Sequence, residues 1–231
     1  MSILYNDKAL ESVAPVDIVD ITVSPAQMQV VARDRPIRAG AEFVRRKDNT
    51  RSIEITFALL EQDNDARMRS IQAIYAWARL GDIGQLRLPH FRGYINAACT
   101  ALPSPSLRMW WESRLRITFT CYDPYWYDDL EHSVSCGTEF VAIGSVAPLM
   151  RIENTFSAAA SNVAYSDGTH TMTFSEIPAG KLVIDLEKQT AQVGTTSVMD
   201  KYAFGSSFIV PYCGNMTITG TGTVFWRERW M

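Results

Sequence analysis

The sequence has no Cys-x-x-Cys pair among its four cysteines, Cys99, Cys121, Cys136 and Cys213. So sparse a set excludes a disulfide scaffold or a zinc ribbon, and predicts free, mostly buried thiols in a chain made in a reducing cytoplasm. No apolar run approaches the roughly eighteen residues a membrane helix needs. The opening MSILYNDKALESV lacks the basic start and apolar core of a signal peptide. A soluble protein is expected. Excess positive charge is missing too: 22 Lys/Arg stand against 25 Asp/Glu, a net charge of −3, so bulk electrostatics predict no general affinity for nucleic acid. Internal repeats, low-complexity tracts, a phosphate loop and a metal cluster are all absent from the sequence pattern.

What is present is an ordinary globular composition, 47% hydrophobic and 20% charged, on a length that suits one large domain or two small ones. The most informative stretch is RLRITFTCYDPYWY, residues 114–127. Leu115, Ile117, Phe119 and Cys121 alternate with polar residues, the period of a half-buried strand. Asp123-Pro124 ends it, because proline cannot donate to a ladder and restricts the residue before it. Tyr125, Trp126 and Tyr127 follow at once. So much ring surface predicts a lid, a neighbouring domain or another subunit over it.

Upstream, residues 16–31 predict one or two strands broken at Ser24-Pro25. Residues 33–51 hold seven basic and three acidic side chains with Pro36 and Gly40 among them, which reads as a long loop or an exposed hairpin arm. Ile53, Ile55, Phe57 and Leu59 mark one face of a strand over 51–59. One helix is predicted over about 64–80, with Asn64 or Asp65 as cap, an apolar stripe of Met68, Ile71, Ile74, Tyr75 and Ala78, and Gly81 as terminator. Further strands are predicted over 83–88, 94–102 and 110–122.

After Tyr127 the texture changes. Short strands recur with Asp-Gly, Pro-Ala-Gly and Gly-Asn turns between them: MRIENTF, NVAYSD, HTMTFSEI, KLVIDLEKQTAQV, SFIVPY and NMTITGTGTVFWRERW. No helical period survives, which predicts a β-sandwich or jelly roll. The boundary is expected between about 128 and 147, giving domains 1–135 and 136–231.

Candidate chemistry is thin. His90, Cys121 and Asp123 contain the residue types of a nucleophilic site, but Cys121 falls on an apolar strand face and nothing brings the three together. His132 and Cys136 lack a second pair of metal ligands. Asp185 and Glu187 share a strand face, the weak form of a glycosidase carboxylate pair. Glu153, Asp167 and Glu176 are scattered acids. Phe225, Trp226 and Trp230 suit core packing or subunit contact better than sugar stacking. No catalytic residue, metal ligand or cofactor is expected.

Taken in order, RSIEITFALL, the helix with IYAWARLGD, LPHFRGYINAACTAL, WWESRLRITFTCYDPYWY, KLVIDLEKQTAQV and the Gly214-Asn215 turn before NMTITGTGTVFWRERW resemble the distal tail protein (Dit) family of long-tailed phages with non-contractile tails, the siphoviruses. The resemblance spans 15–128 strongly and 148–230 more weakly. It implies a mainly β protein: an N-terminal β-sandwich or split-barrel domain with one α-helix, and a C-terminal galectin-like β-sandwich. It implies a non-enzymatic virion protein of the tail tip or baseplate, made in the bacterial cytoplasm and assembled as a ring, usually hexameric. Its partners would be the tail tube protein, the tail-associated hub protein and, in some phages, a receptor-binding protein. DNA would pass through the lumen without specific binding. The subunit contacts are expected at the basic arm (Arg33, Arg35, Arg38, Arg45 and Arg46) and at Tyr125, Trp126 and Tyr127, since arginine and aromatic side chains dominate interface energies. The alternatives are a carbohydrate- or receptor-binding sandwich module and, less well supported, a hydrolase.

Overall fold

The computed structural model describes residues 2–34, 41–61, 63–104 and 114–231. These residues are mainly β with one α-helix. The chain divides into two compact units, Met1–Trp126 with Met231, and Tyr127–Trp230.

The first unit contains β1 (Leu4–Tyr5), β2 (Lys8–Ala9), β3 (Val16–Val23), β4 (Met28–Asp34), β5 (Ala41–Asp48), β6 (Arg51–Leu59), α1 (Asn64–Ala78), β7 (Gly84–Arg87), β8 (Tyr94–Ala101) and β9 (Arg114–Cys121). Its ladders are antiparallel. β6 lies between β3 and β9, with Ile53 opposite Phe119, Ile55 opposite Ile117 and Phe57 opposite Leu115. Because partners in a ladder share a face, the alternation seen in sequence places these side chains in one buried layer. β8 is shared by two ladders: its first half pairs with β7, its second half with β9, and the register shifts between Cys99 and Ala101. The part of the 110–122 strand before residue 114 lies outside the described residues.

The helix is capped by Asp63, one residue ahead of the expected Asn64 and two ahead of Asp65. Asp63 has extended dihedrals and accepts a hydrogen bond from Ala66 N at 2.9 Å. The buried face is also turned from the expected one. It comprises Ser70, Ile71, Ile74, Trp77 and Ala78, while Met68 is exposed. Ser70 is tolerated there because its hydroxyl donates to Glu61 Oε1 at 2.8 Å. Trp77 meets Tyr5 and Phe119, with ring centroids 5.8 and 6.1 Å away.

β10 (Trp126–Tyr127) carries the chain into the second unit. There follow β11 (His132–Ser135), β12 (Glu139–Ala142), β13 (Val146–Phe156), β14 (Ala160–Ser166), β15 (Thr171–Ile177), β16 (Gly180–Asp185), β17 (Thr190–Val193), β18 (Thr196–Ser197), β19 (Gly214–Thr217) and β20 (Thr223–Trp230). β11 pairs with β20, so residues 127–135 belong to the second unit and the division falls ahead of the expected 135/136. One sheet runs β18-β17-β16-β13-β20-β11, while β14–β15 and β12–β19 form separate pairs. Met150, Ile152, Leu182, Ile184 and Val224 from the sheet pack with Tyr165, Met172, Phe174, Phe140 and Met216 from the pairs in one core. That is the two-layer arrangement of a sandwich. The expected strand SFIVPY does not form. Pro211 has no N–H, and residues 207–212 are held instead by Ser207 N bonding to Thr171 O, by burial of Ile209 and by Phe208 stacking on Tyr202.

Candidate functional site

β4 and β5 form a two-stranded ribbon that pairs with no other strand among the described residues. The loop-or-arm alternative thus resolves to a hairpin. Its root is held by Gln27 N to Thr50 O at 3.1 Å and Asn49 N to Gln27 O at 2.6 Å. The described side chains of the ribbon are largely exposed: Met28 (65%), Val30 (59%) and Val44 (54%) beside Arg33, Arg45 and Lys47. Two free ladder edges with exposed apolar and cationic side chains are a template for another chain. Arg35 and Arg38 lie outside the described residues, as does the side chain of Arg46.

The aromatic turn is divided. Tyr125 is half-buried, and its hydroxyl donates to Asp48 Oδ2 at 3.2 Å, tying the turn to the arm's root. Trp126 and Tyr127 are buried within the chain. A subunit contact through these two side chains, as expected from the sequence, would require them to be uncovered. The Trp126 ring stacks on Phe91, with centroids 4.6 Å apart.

The residues weighed for catalysis are occupied elsewhere. Cys121 is fully buried, and burial pushes its thiol up to about 12, while His90 is exposed. His132 stacks on Trp226 at 5.3 Å. Among the described residues no group of three or more His, Cys, Asp or Glu is placed to hold a metal. Asp185 and Glu187 line a cavity of about 180 Å³ with Glu131 and Arg151, but each has a structural task. Asp185 Oδ1 accepts from the backbone N–H groups of Glu187 and Lys188, closing the β16–β17 turn, and Glu187 pairs with Arg229 at 2.7 Å. Asp167 caps its own turn through Thr169 N and His170 N. At the aromatic end, Trp226 is in the core and Phe225 lies under the Arg151 guanidinium at 4.6 Å. Sequence reading passed over Phe204, which stands fully exposed in the loop after β18.

Arg151 organises the surface of β13. Its Nη2 donates to Glu131 Oε2 at 2.8 Å and its Nε to Glu153 Oε1 at 2.7 Å, while Lys181 Nζ reaches Glu153 Oε2 at 2.7 Å. The Arg151 bond lowers the pKa of Glu131. Burial alone would raise that of Glu153, but its bonds to Arg151 and Lys181 prevail and lower it. A carboxylate with a depressed folded pKa adds stability above its unfolded value, about 4.3 for glutamate, and loses it as pH falls through the folded one. The melting temperature of the second unit is therefore expected to fall between about pH 5 and pH 3. Arg151→Met should flatten that slope in a series of calorimetric scans.

No protein-family model matches the chain, and no curated protein matches it. Solved structures do. The SPP1 Dit protein (gp 19.1), a paradigm of the hub adsorption apparatus in phages infecting Gram-positive bacteria, superimposes with a TM-score of 0.75 and 12% identity, over 100% of this chain and 99% of its own. The phage P2 baseplate in its activated conformation is matched with Ca (TM-score 0.47, 10% identity, 94% of this chain and 91% of that one). It is also matched with Sr (0.46, 10%, 98% and 96%). At those scores the baseplate matches add nothing to the fold assignment. The SPP1 match extends from end to end of both chains, and by it this protein has the Dit fold.

Proposed function

We propose that this chain is a structural protein of the phage tail tip, a Dit-type ring subunit joining the tail tube to the hub and host-recognition apparatus. The observation that carries the reading is the agreement of fold with SPP1 Dit over the whole of both chains. The solitary hairpin arm supports it, since exposed apolar and cationic side chains on an unpaired ribbon suit a contact with a neighbouring copy. In this reading the subunits close a ring, of six by resemblance, through heterologous contacts that must meet after one turn. The first unit and its arm build the ring, and the galectin-like second unit lies at its periphery. Tail tube protein meets one face and the tail-associated hub the other, joined in some phages by a receptor-binding protein. DNA passes through the lumen at ejection without specific contacts, no bond is made or broken, and the protein resides in the virion.

Negative-stain imaging and sedimentation of the purified chain test this. Rings with a central hole are expected. Replacing residues 28–48 by a short glycine linker should give folded monomers, with the far-ultraviolet signature of the remaining strands retained. A chain that stays solitary at high concentration overturns the ring. If such monomers were retained on a glycan array, the exposed Phe204 would favour the second reading, a carbohydrate- or receptor-binding module.

A further inference from the structure

The root of the arm holds a buried cation with no counterion among the described residues. Arg51, the first residue of β6, is only 5% exposed. Its Nε is buried with no hydrogen-bond partner, and no ion pair reaches it among the described residues. Burial lowers its pKa, and the nearby Cys121 thiol, itself pushed up to about 12 by burial, is neutral at physiological pH and offers it no counter-charge. Asp48, at the end of β5, has a buried Oδ1 that is equally without a partner, its Oδ2 being taken by Tyr125. Arg51 and Asp48 line a cavity of about 450 Å³ together with Val23, Pro25, Met28 and Phe91. Guanidinium groups are rarely buried without a carboxylate or phosphate, because desolvation of the charge is costly and only a well-placed anion offsets it. The wall holds the Arg51 guanidinium and the Asp48 carboxylate, the latter already bonded to Tyr125, among largely apolar sides; what Arg51 lacks is an acceptor of its own, which an acidic side chain carried on an apolar strand would supply.

We infer that this cavity is a socket for an aspartate side chain on β3 of a second copy of this chain. The inference rests on the ring reading above. Charge complementarity selects the occupant. The arm at whose root the socket lies presents Arg33, Arg45 and Lys47, while β3 is an edge strand that pairs with β6 alone among the described residues and exposes Asp17 and Asp20 beside Val19. An arginine that is unpaired in the free subunit and paired in the assembly ties folding to association. It destabilises the monomer slightly, and its charge is compensated once the neighbour arrives.

That logic gives Arg51→Met an unusual signature. The isolated chain should melt at the same temperature or higher, because a buried unpaired charge is replaced by an apolar side chain of similar length. The concentration needed for half-assembly should rise about a hundredfold or more. The double variant Asp17→Asn, Asp20→Asn, altered only at exposed positions, should show the same loss of assembly with an unchanged melting temperature. Sedimentation and calorimetry on the full chain read both quantities. If wild type forms rings and Arg51→Met forms them equally well, or melts markedly lower, the socket is overturned while the ring stands. If Arg51→Met fails to assemble but the β3 variant does not, β3 is not the donor and the assignment falls. If wild type never associates, the ring reading fails and the inference with it.

Discussion

Trp77→Ala is expected to destabilise the first unit by about 3–5 kcal/mol, the range for truncating a buried indole. Trp77 is 1% exposed and packs edge-on against Tyr5 and Phe119, which themselves sit 5.1 Å apart. It also donates its Nε1 hydrogen to Lys8 O at 2.7 Å. The substitution thus opens a cavity, removes two ring contacts and leaves a carbonyl of β2 without its donor. A small unit whose whole stability is about 5–15 kcal/mol cannot absorb that without populating unfolded chains. Urea titration followed by far-ultraviolet circular dichroism should show the midpoint of the first transition shifted sharply down. Trp77→Phe separates the components: it keeps most of the ring and loses the hydrogen bond, so a loss of about 1–2 kcal/mol is expected. Hydrogen exchange should place the first damage at β1 and β2, which are two residues long and depend on α1 for cover.

The unequal legibility of the fold follows from the same physics. β6 and β9 were readable because one buried face imposes strict alternation, and the structure buries Ile53, Ile55, Phe57, Leu115, Ile117 and Phe119 as that alternation requires. The strand break at Ser24-Pro25 was readable from proline chemistry alone, and β3 ends at Val23. The helix was readable, but not its rotation. Two overlapping stripes fit its sequence, and the choice between Met68 and Trp77 depends on which face meets Tyr5. β1 and β2 left no pattern, since two residues carry no period. SFIVPY carried a strand composition but found no ladder. At the candidate site, the arm was visible as a surplus of arginine interrupted by proline and glycine. Its root was not. Arg51 reads in sequence as one more solvated cation of the arm, and its burial depends on the β6–β9 ladder and the 24–26 loop closing around it. Among the three aromatics after Asp123-Pro124, side-chain type suggested contact, yet only backbone direction decides which ring turns inward.

Trp126→Ala tests that last distinction, with a second large effect. Were Trp126 a contact to a neighbour, its removal would weaken assembly and leave the monomer's stability alone. The structure gives it 3% exposure and a parallel stack on Phe91, with 18° between the ring planes. The expected result is therefore a loss of about 3–5 kcal/mol in the folded chain, read as a lower melting temperature before any change in oligomeric state is considered. The indole Nε1 sharpens the test, because it is buried with no hydrogen-bond partner among the described residues. An unpaired buried donor is a penalty that phenylalanine does not carry. Trp126→Phe should consequently cost less than about 1.5 kcal/mol, as a near volume-conserving change relieved of that penalty. A Trp126→Ala chain that melts like wild type while failing to assemble would return this residue to the subunit contact. A large fall in melting temperature, mostly recovered in Trp126→Phe, places it in the core and leaves Tyr125, tethered to Asp48, as the member of the trio within reach of a neighbour.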